Sequence, residues 1–237
     1  MKRLKKIQNN IVLENLSDHR KFFLKNGYLH LKNFLPKKEL INIKKKCINF
    51  KKKTKIKKDL IFDLHRNIIS VYNTINNNSI KLVAKELFKT KKLSGIQTAF
   101  FSTPKKGYGF PPHQDDFFLK SGFNNTMNIW IPLIKIGPRN GTLYFYMNSH
   151  KNGVNKKLNF LALNSSNAKS IKELKKYKTK KMICNIGDVV FINNHIFHKG
   201  GHNSSSSKRY ILSFTYLKDK KKFYAGKTAN RKKIKLD

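Results

Sequence analysis

Apolar and polar positions follow two different periods along this chain. Up to about residue 92, apolar side chains recur at the spacing of amphipathic helices. From about residue 93 to 216 they alternate with polar ones, which is typical of half-buried strands. Helix starts are predicted at Ser17, Pro36 and Ser79, and Asn26-Gly27 supplies a left-handed stop for the first helix. The pattern predicts a helical layer followed by a β-rich core.

Two of the predicted strands have one strictly apolar face. Strands are predicted over residues 28–34, 95–103, 127–133, 142–147, 181–185, 189–192 and 209–216. In the last of them Arg209, Ile211, Ser213 and Thr215 share the more polar face. Short strands preceded by helices that can cover one sheet predict a mainly β protein with N-terminal helices, built as a double-sheet jelly roll or a distorted barrel.

The chain is expected to form one domain with three parts. Residues 1–92 are the helical layer with the first strands, residues 93–217 the β-rich core, and residues 218–237 a basic C-terminal tail that is expected to fray. Residues 152–178 are predicted to be an insertion with a short helix around residues 171–176. The basic run at residues 51–58 is expected to be a solvated loop or helix end.

The high net charge changes this interpretation of the chain only a little. The 52 Lys and Arg against 12 Asp and Glu give a formal charge of +40, which raises nucleic acid as a partner. Lysine is, however, spread over the whole chain, and no basic stripe with interleaved aromatic residues stands out.

Cys47 and Cys184 are too few for a disulfide framework or a cysteine zinc site, which favours a reducing, cytoplasmic setting. No signal peptide and no membrane span are predicted.

Candidate chemistry centres on His113-Gln114-Asp115. Between residues 95 and 216 the acidic residues are Asp115, Asp116, Glu173 and Asp188, so two of the four follow one histidine closely. In an extended segment residues 113 and 115 share a face, and with a second histidine they would form the two-histidine, one-carboxylate set of non-haem Fe(II) sites. That histidine could be His195, His198 or His202, and local chemistry does not choose among them.

Several segments, in order and at their spacings, match one known family. They are His113-Gln114-Asp115, Asn128-Ile129-Trp130-Ile131-Pro132-Leu133, Asn140-Gly141-Thr142-Leu143, Asn148-Ser149-His150-Lys151, Gly187-Asp188-Val189-Val190-Phe191, and His198 with Asn203 and Arg209. In these the chain resembles the phytanoyl-CoA dioxygenase-like family of Fe(II)- and 2-oxoglutarate-dependent oxygenases. The resemblance implies a double-stranded β-helix core, which is a cupin-like jelly roll. It also implies that His113, Asp115 and His198 bind iron and that Arg209 binds the distal carboxylate of 2-oxoglutarate.

The neighbours of this set have two interpretations each. Gln114 and Trp130 would contact the co-substrate or line the pocket, or would simply pack. Ser213 would support the co-substrate carboxylate, or would be a small residue required by a tapering barrel. For the remaining polar residues we expect structural roles: His150 in a turn, Asp116 orienting the loop or anchoring substrate, Asp188 in a turn, and His65 as an ordinary side chain.

The expected function is that of a dioxygenase using Fe(II), 2-oxoglutarate and O2 to hydroxylate a C–H bond of a small and anionic molecule. The alternatives are the same chemistry on a nucleic acid or protein, and a non-catalytic basic binding protein. Halogenation is disfavoured, because in enzymes of this type it requires a small residue where Asp115 stands. Residues 105–112 and 152–178 would frame the substrate and match no particular subfamily, so the resemblance does not extend to specificity.

Overall fold

Two antiparallel sheets face each other at the centre of the fold. The computed structural model describes residues 15–159, 172–227 and 229–237. The strands are β1 Tyr28–Leu31, β2 Leu60–Phe62, β3 Leu93–Thr103, β4 Thr126–Pro132, β5 Leu143–Tyr146, β6 Thr179–Met182, β7 Val189–Asn193, β8 His198–Gly200 and β9 Arg209–Lys218. The larger sheet has the order β1-β7-β4-β9-β3-β2, and the smaller one β6-β5-β8. The mainly β class is confirmed.

Helices cover the outer face of the larger sheet. They are α1 Leu16–Asn26, α2 Lys37–Lys53, α3 Ile69–Ile75 and α4 Asn78–Phe88. A single turn, α5 Asp116–Leu119, follows β3 in the chain, and 3-10 turns occupy Leu64–Arg66 and Ser149–Asn152. The apolar face of β4 packs against this layer with Met127, Ile129 and Ile131 fully buried. Its other face carries Asn128 and Trp130 towards the smaller sheet, as the alternation in the sequence predicted.

The N-terminal layer supplies both edges of the larger sheet. β1 pairs with β7 and β2 pairs with β3, so the layer and the core share one sheet. Two predicted helix starts are wrong. α1 begins at Leu16, so Ser17 lies inside it, and α4 is capped by Asn77, whose side chain accepts a hydrogen bond of 3.1 Å from the Ile80 amide. The cap lies two residues before Ser79 because the helix begins at Asn78.

The C-terminal segment is docked rather than frayed, which corrects the prediction. Ile234 exchanges two backbone hydrogen bonds with Gly95 at the end of β3, of 3.0 and 2.7 Å. The Tyr224 amide donates to the Leu119 carbonyl at 2.6 Å. Lys81 donates to the Asp237 carbonyl. Lysine-rich composition suggested solvation, but backbone pairing and buried Ile234 hold this segment against the sheet.

Residues 160–171 lie outside the described residues, so the structure describes only part of the helix predicted around residues 171–176. On either side of that gap, Leu158 and Leu174 are buried and pack with Tyr146 and Phe197. Among the described residues, no helix combines the length and the apolar character needed to cross a membrane.

Asp188 joins the N-terminal layer to the core. The predicted turn is present: Gly187 has a φ of 105°, and the Asp188 carboxylate accepts a 2.9 Å hydrogen bond from the Asn185 amide. The same carboxylate also accepts from the Asn33 amide and from His30 Nε2, each at 2.9 Å. These contacts span more than 150 positions in the chain and could not be predicted from the turn alone.

We expect the Asp188→Asn substitution to lower the free energy of unfolding by about 2 to 3 kcal/mol at pH 7. An amide has only one acceptor oxygen, so its NH2 group would face donors that in the wild-type protein bond to the second carboxylate oxygen. Burial would raise the pKa of Asp188, but the hydrogen bonds from His30 and the backbone lower it overall. Since the folded-state pKa is lowered, this stabilisation is present above the ordinary carboxyl pKa and is lost as pH falls. The difference in free energy of unfolding between the wild-type protein and the Asp188→Asn variant should therefore become smaller below about pH 4.

Urea unfolding of both proteins at several pH values measures this difference. The matched control is Asp18→Asn, which removes an exposed carboxylate that pairs with Lys21, and it should change stability by less than about 0.5 kcal/mol. Equal effects of the two substitutions would contradict the assigned role of Asp188.

Candidate metal centre

The centre of the site is an isolated antiparallel bridge between His113 and His198. Each residue donates its amide to the carbonyl of the other, and both hydrogen bonds are 2.9 Å long. His198 is the first residue of β8, while His113 follows the loop of residues 104–112. The bridge brings the two imidazole rings to 4.3 Å between centroids. Of the three candidate histidines, the structure therefore places His198 beside His113.

Asp115 reaches both rings from a helical turn. It has φ −61° and ψ −34° and stands immediately before α5, so the expectation of an extended segment over residues 113–115 is wrong. One carboxylate oxygen lies 3.4 Å from His113 Nε2 and the other 3.9 Å from His198 Nε2. The helical turn brings the Asp115 carboxylate close to His113, as a shared strand face was expected to do. All three ligand atoms lie within 4.8 Å of one another, and the set could hold a metal ion.

Hydrogen bonds on the far side of each ring fix the tautomers. His113 Nδ1 lies 2.8 Å from the Pro111 carbonyl, and His198 Nδ1 lies 3.1 Å from the Ile196 carbonyl. A carbonyl can only accept, so each Nδ1 carries the proton and each Nε2 presents a lone pair to Asp115. Lone pairs that converge on a carboxylate repel it unless a cation or a proton lies between them. The donor set therefore fits a divalent metal, with the outer hydrogen bonds typical of metal-binding histidines.

The pKa directions of Asp115 and His198 agree with metal binding. Burial would raise the pKa of Asp115, but contact with His198 and His113 and the hydrogen bond from Asn128 outweigh it and lower the pKa overall. Burial lowers the pKa of His198 to about 4, and the charge of His113 adds to this. Burial opposes charge on His113 too, yet contact with Asp115 raises its pKa overall. The site thus has an ionised carboxylate and a neutral imidazole, the forms that ligate metals.

Asn128 holds the carboxylate in place, and sequence reasoning missed this role. Its Nδ2 donates to Asp115 at 3.0 Å, and its Oδ1 accepts from the Ser213 hydroxyl at 2.6 Å. Asn128 and Ser213 belong to neighbouring strands β4 and β9 of the larger sheet. The only signal in the sequence was that Asn128 shares a face with Trp130. Ser213 also lines the cavity, but the contact that the structure gives its hydroxyl is support for Asn128.

A cavity of about 310 Å³ opens beside the three residues. Trp130, Arg209 and Ser213 line it, and so does Arg231 from the C-terminal segment, which the sequence did not indicate. The other lining residues are mostly apolar and include Leu60, Phe62, Phe101, Phe110, Phe118 and Leu119. The cavity is thus an apolar space with charged groups at a few points, which is the usual character of a small-molecule site.

Arg209 is buried at one end of this cavity. Its Nη2 donates to the Thr103 hydroxyl at 3.0 Å and its Nη1 donates to the Gly141 carbonyl, while its Nε has no hydrogen-bond partner among the described residues. Burial lowers its pKa to about 10, so it stays protonated at neutral pH. Gly141 has a φ of 81°, and a Cβ there would lie 3.1 Å from Nη1, so glycine lets the backbone approach the guanidinium. Its Nε is thus a buried donor whose hydrogen-bonding capacity the described residues do not use.

Gln114 is fully buried, and it is not among the described residues that line the cavity. Its NH2 group donates to the carbonyls of Gly153 and His195, and its oxygen accepts from the Asn155 amide and from Asn159. Every polar atom of the side chain is therefore used by protein groups. Of the two interpretations of Gln114, these contacts favour packing within the protein over a contact with the co-substrate.

The other polar neighbours also have structural contacts. Asp116 pairs with His195 at 3.1 Å and accepts from the Ser121 amide at 3.0 Å, which fixes the loop after α5. His150 Nε2 lies 3.0 Å from the Leu24 carbonyl, and exposed His202 contacts the Lys106 carbonyl. His195 and His202 thus contact other groups, whereas His198 lies with His113 and Asp115, which supports His198 as the second histidine.

A second cluster, His30, Cys184 and Asp188, also has metal-ligand atoms within 4.8 Å of one another. Both Asp188 oxygens are already occupied by the contacts that join the N-terminal layer to the core. Burial raises the pKa of the Cys184 thiol to about 12, so it is not the thiolate that a metal requires. We interpret this cluster as structural.

Comparison with known sequences identifies the family. The sequence profile described as Phytanoyl-CoA dioxygenase (PhyH) matches residues 23–211, well over half of the chain. The chain belongs to the phytanoyl-CoA dioxygenase family. A curated relative, Phytanoyl-CoA dioxygenase 1 from Oryza sativa subsp. japonica, is 28% identical over 129 residues, which are 52% of this chain and 44% of the relative. The match therefore spans less than half of that relative's length.

Solved structures share the fold of this member of the phytanoyl-CoA dioxygenase family. SnoK, a non-heme alpha ketoglutarate dependent carbocyclase from nogalamycin biosynthesis, aligns with a TM-score of 0.76 at 17% identity over 91% of this chain and 89% of its own. EctD from S. alaskensis with 2-oxoglutarate and 5-hydroxyectoine gives 0.71 at 16% identity over 85% and 76%. HygX from Streptomyces hygroscopicus with nickel and 2-oxoglutarate gives 0.71 at 12% identity over 86% and 87%. The predicted jelly-roll core is confirmed.

We expect the purified protein to bind one Fe(II) per chain and to lose it when His113, Asp115 or His198 is replaced by Ala, because each removes one of three protein ligands. Metal content after anaerobic loading and desalting measures this, with circular dichroism to check folding.

His202→Ala is the matched control, since it removes an exposed imidazole from the same loop region and should leave the metal content unchanged. Folded variants of all three residues that keep their iron would contradict the site. Loss of iron in the His202 variant but not in the His198 variant would move the second ligand to His202.

Proposed function

We propose that this protein is an Fe(II)- and 2-oxoglutarate-dependent oxygenase that hydroxylates a C–H bond of a small molecule with release of succinate and CO2. The observation that carries the proposal is that one cavity contains both the His113, Asp115 and His198 set and the buried guanidinium of Arg209. Membership of the phytanoyl-CoA dioxygenase family supports the same chemistry. EctD, which shares the fold, was solved with 2-oxoglutarate and a hydroxylated compound.

The residues divide the work between metal and co-substrate. His113 Nε2, His198 Nε2 and an Asp115 oxygen would hold iron and leave positions open for two oxygens of 2-oxoglutarate and for O2. Iron with these two partners supplies the oxidant for the C–H bond. Arg209 would bind the distal carboxylate of 2-oxoglutarate, because a planar guanidinium that stays charged can donate from its free Nε. Asn128 keeps Asp115 oriented throughout.

The size and lining of the cavity favour a small molecule over a macromolecule. A volume of about 310 Å³ is at the lower end for ligand sites, and it must accept the co-substrate as well. Although lysine accounts for most of the chain's +40 charge, no lysine is among the described residues that line the cavity. The basic surface thus gives no support for a polyanion at the site. Cys47 and Cys184 are free and buried, and we infer a reducing, cytoplasmic setting from this.

Replacing Arg209 with Lys should weaken 2-oxoglutarate binding by about 2 kcal/mol or more, roughly 30-fold, because an ammonium cannot reproduce the forked donor geometry. Titration of 2-oxoglutarate into the Fe(II) protein without O2 measures the affinity. Arg139→Lys, at an exposed position, is the control and should bind normally. Wild-type affinity in the Arg209 variant would contradict its assignment.

The activity itself is tested by screening a metabolite panel for substrate-stimulated succinate release, followed by mass spectrometry of each hit. We expect a gain of one oxygen in the product and no release by the His198→Ala variant, since that variant lacks a metal ligand. Chlorinated products, or the absence of coupled turnover with every class of compound while Fe(II) and 2-oxoglutarate bind, would contradict the proposed function.

A further inference from the structure

The C-terminal strap, residues 219–227 and 229–237, contributes a charged group to the cavity. It is fixed at Tyr224 by a backbone hydrogen bond to Leu119 and at Ile234 by the two-bond bridge to Gly95. Arg231 lies between these two anchors and lines the cavity. The strap therefore positions a guanidinium beside Gln97 of β3 in the wall of the cavity.

Specific contacts orient the Arg231 guanidinium. Its Nε donates to Gln97 Oε1 at 3.2 Å, and its Nη1 donates to the Ala225 carbonyl at 3.2 Å. Asp115 raises the pKa of Arg231 through its charge, although burial, the larger effect, lowers it overall. Two of the three nitrogens are thus fixed by the protein. The third nitrogen, Nη2, makes no hydrogen bond to a described residue.

Gln97 presents a second donor at the same place. It lines the cavity and is 9% exposed, and its Nε2 has no partner in the described part of the chain. Because Arg231 can only donate, the amide oxygen of Gln97 must face it, so the NH2 group is the end left free. A buried amide donor without an acceptor is costly, and an acceptor supplied by a ligand would remove that cost.

The sheet register places these donors relative to the metal set. Gln97 on β3 is opposite Thr215 on β9, which is opposite Asn128 on β4. Neighbouring strands lie about 4.8 Å apart, so Gln97 and Asn128 are roughly 10 Å apart across the sheet. Arg209 is six residues from Thr215 along β9, which is about 20 Å at 3.3 Å per residue. Gln97 and Asn128, which binds Asp115, are thus level with each other across the sheet, whereas Arg209 is much farther along β9.

The choice of arginine at both ends is not explained by composition. Six of the 52 basic residues are arginine, yet two of these six line the cavity and none of the described lysines does. Arginine differs from lysine in presenting a planar fork that matches a carboxylate. A role for both arginines in binding carboxylates accounts for this difference.

We propose that Arg231 and Gln97 bind the carboxylate of an acidic substrate, while Arg209 holds that of 2-oxoglutarate. This inference rests on the proposed function and names the substrate class: a small carboxylic acid with an apolar body. Leu60, Phe62 and Leu119 offer that body an apolar wall. Since Gln97 and Asn128 are roughly 10 Å apart across the sheet, a short aryl or alkyl acid suits the space between Gln97 and the metal set.

The probes are 3-phenylpropionate, 4-phenylbutyrate and octanoate, each paired with its neutral primary amide. They are titrated into the full-length protein holding Fe(II) and 2-oxoglutarate without O2, so that Arg209 is occupied. The chain has one tryptophan, and since Trp130 lines the cavity its fluorescence reports binding. We expect at least one acid to bind about 10-fold or more tightly than its amide.

Arg231→Gln should reduce the affinity for that acid by about 10-fold or more while changing the affinity for the amide by less than about twofold. Arg231→Lys should retain part of the preference, because it keeps the charge without the fork. The matched control is Lys232→Gln, which removes the same charge from the adjacent exposed residue and should leave acid binding within about twofold. Unchanged amide and 2-oxoglutarate binding shows that each variant is folded.

Failure of this inference and failure of the proposed function have different signatures. If the wild-type protein does not bind Fe(II) and 2-oxoglutarate, the proposed function falls and the inference with it. If both bind but no acid exceeds its amide, or if Lys232→Gln lowers acid binding as much as Arg231→Gln, only the inference is overturned. Arg231-dependent binding of 2-phenylethyl phosphate that is tighter than that of every acid would overturn the carboxylate assignment.

Discussion

Two reciprocal backbone hydrogen bonds between His113 and His198 are the constraint on which the site depends. They join a loop that follows β3 to the first residue of β8, 85 positions later in the chain. Residues that exchange both backbone hydrogen bonds stand directly opposite each other with Cα atoms about 5.5 Å apart, which lets the two imidazole rings come to 4.3 Å between centroids. The helical turn at Asp115 then needs only two residues to bring its carboxylate to both Nε2 atoms. The remaining contacts refine this arrangement.

Each sheet supplies a different part of the chemistry. The smaller sheet and its neighbouring loop carry the three residues that could hold a metal, while the larger sheet supplies Asn128, Ser213 and Arg209. Asn128 connects the two by its hydrogen bond to Asp115. The distance between sheets therefore sets the geometry of the site. The N-terminal layer holds the larger sheet in place, with Asp188 as a polar connection, and its strand β2 adds Leu60 and Phe62 to the cavity wall.

The electrostatics of the cavity differ from those of the surface. The chain is strongly basic, but the cavity contains one carboxylate, two imidazoles and two arginines, all held by specific hydrogen bonds. A general attraction of anions to a basic surface is screened by salt, whereas buried donors such as Arg209 Nε and Gln97 Nε2 are not. The proposed preference for an anionic substrate therefore rests on Arg231 and Gln97 and not on the net charge of the chain.

The sequence by itself determined the periodic features. Alternation defined both faces of β4 and β9, Gly27 ended α1, and the order of short segments indicated the family, with His113, Asp115, His198 and Arg209 as the expected site. Such features are local or recur at fixed spacing, so one chain displays them. Only the tertiary structure decided the helical turn at Asp115, the support from Asn128, the internal role of Gln114 and the position of Arg231. Each of these rests on contacts between distant segments, whose energies depend on burial and register that local patterns do not contain.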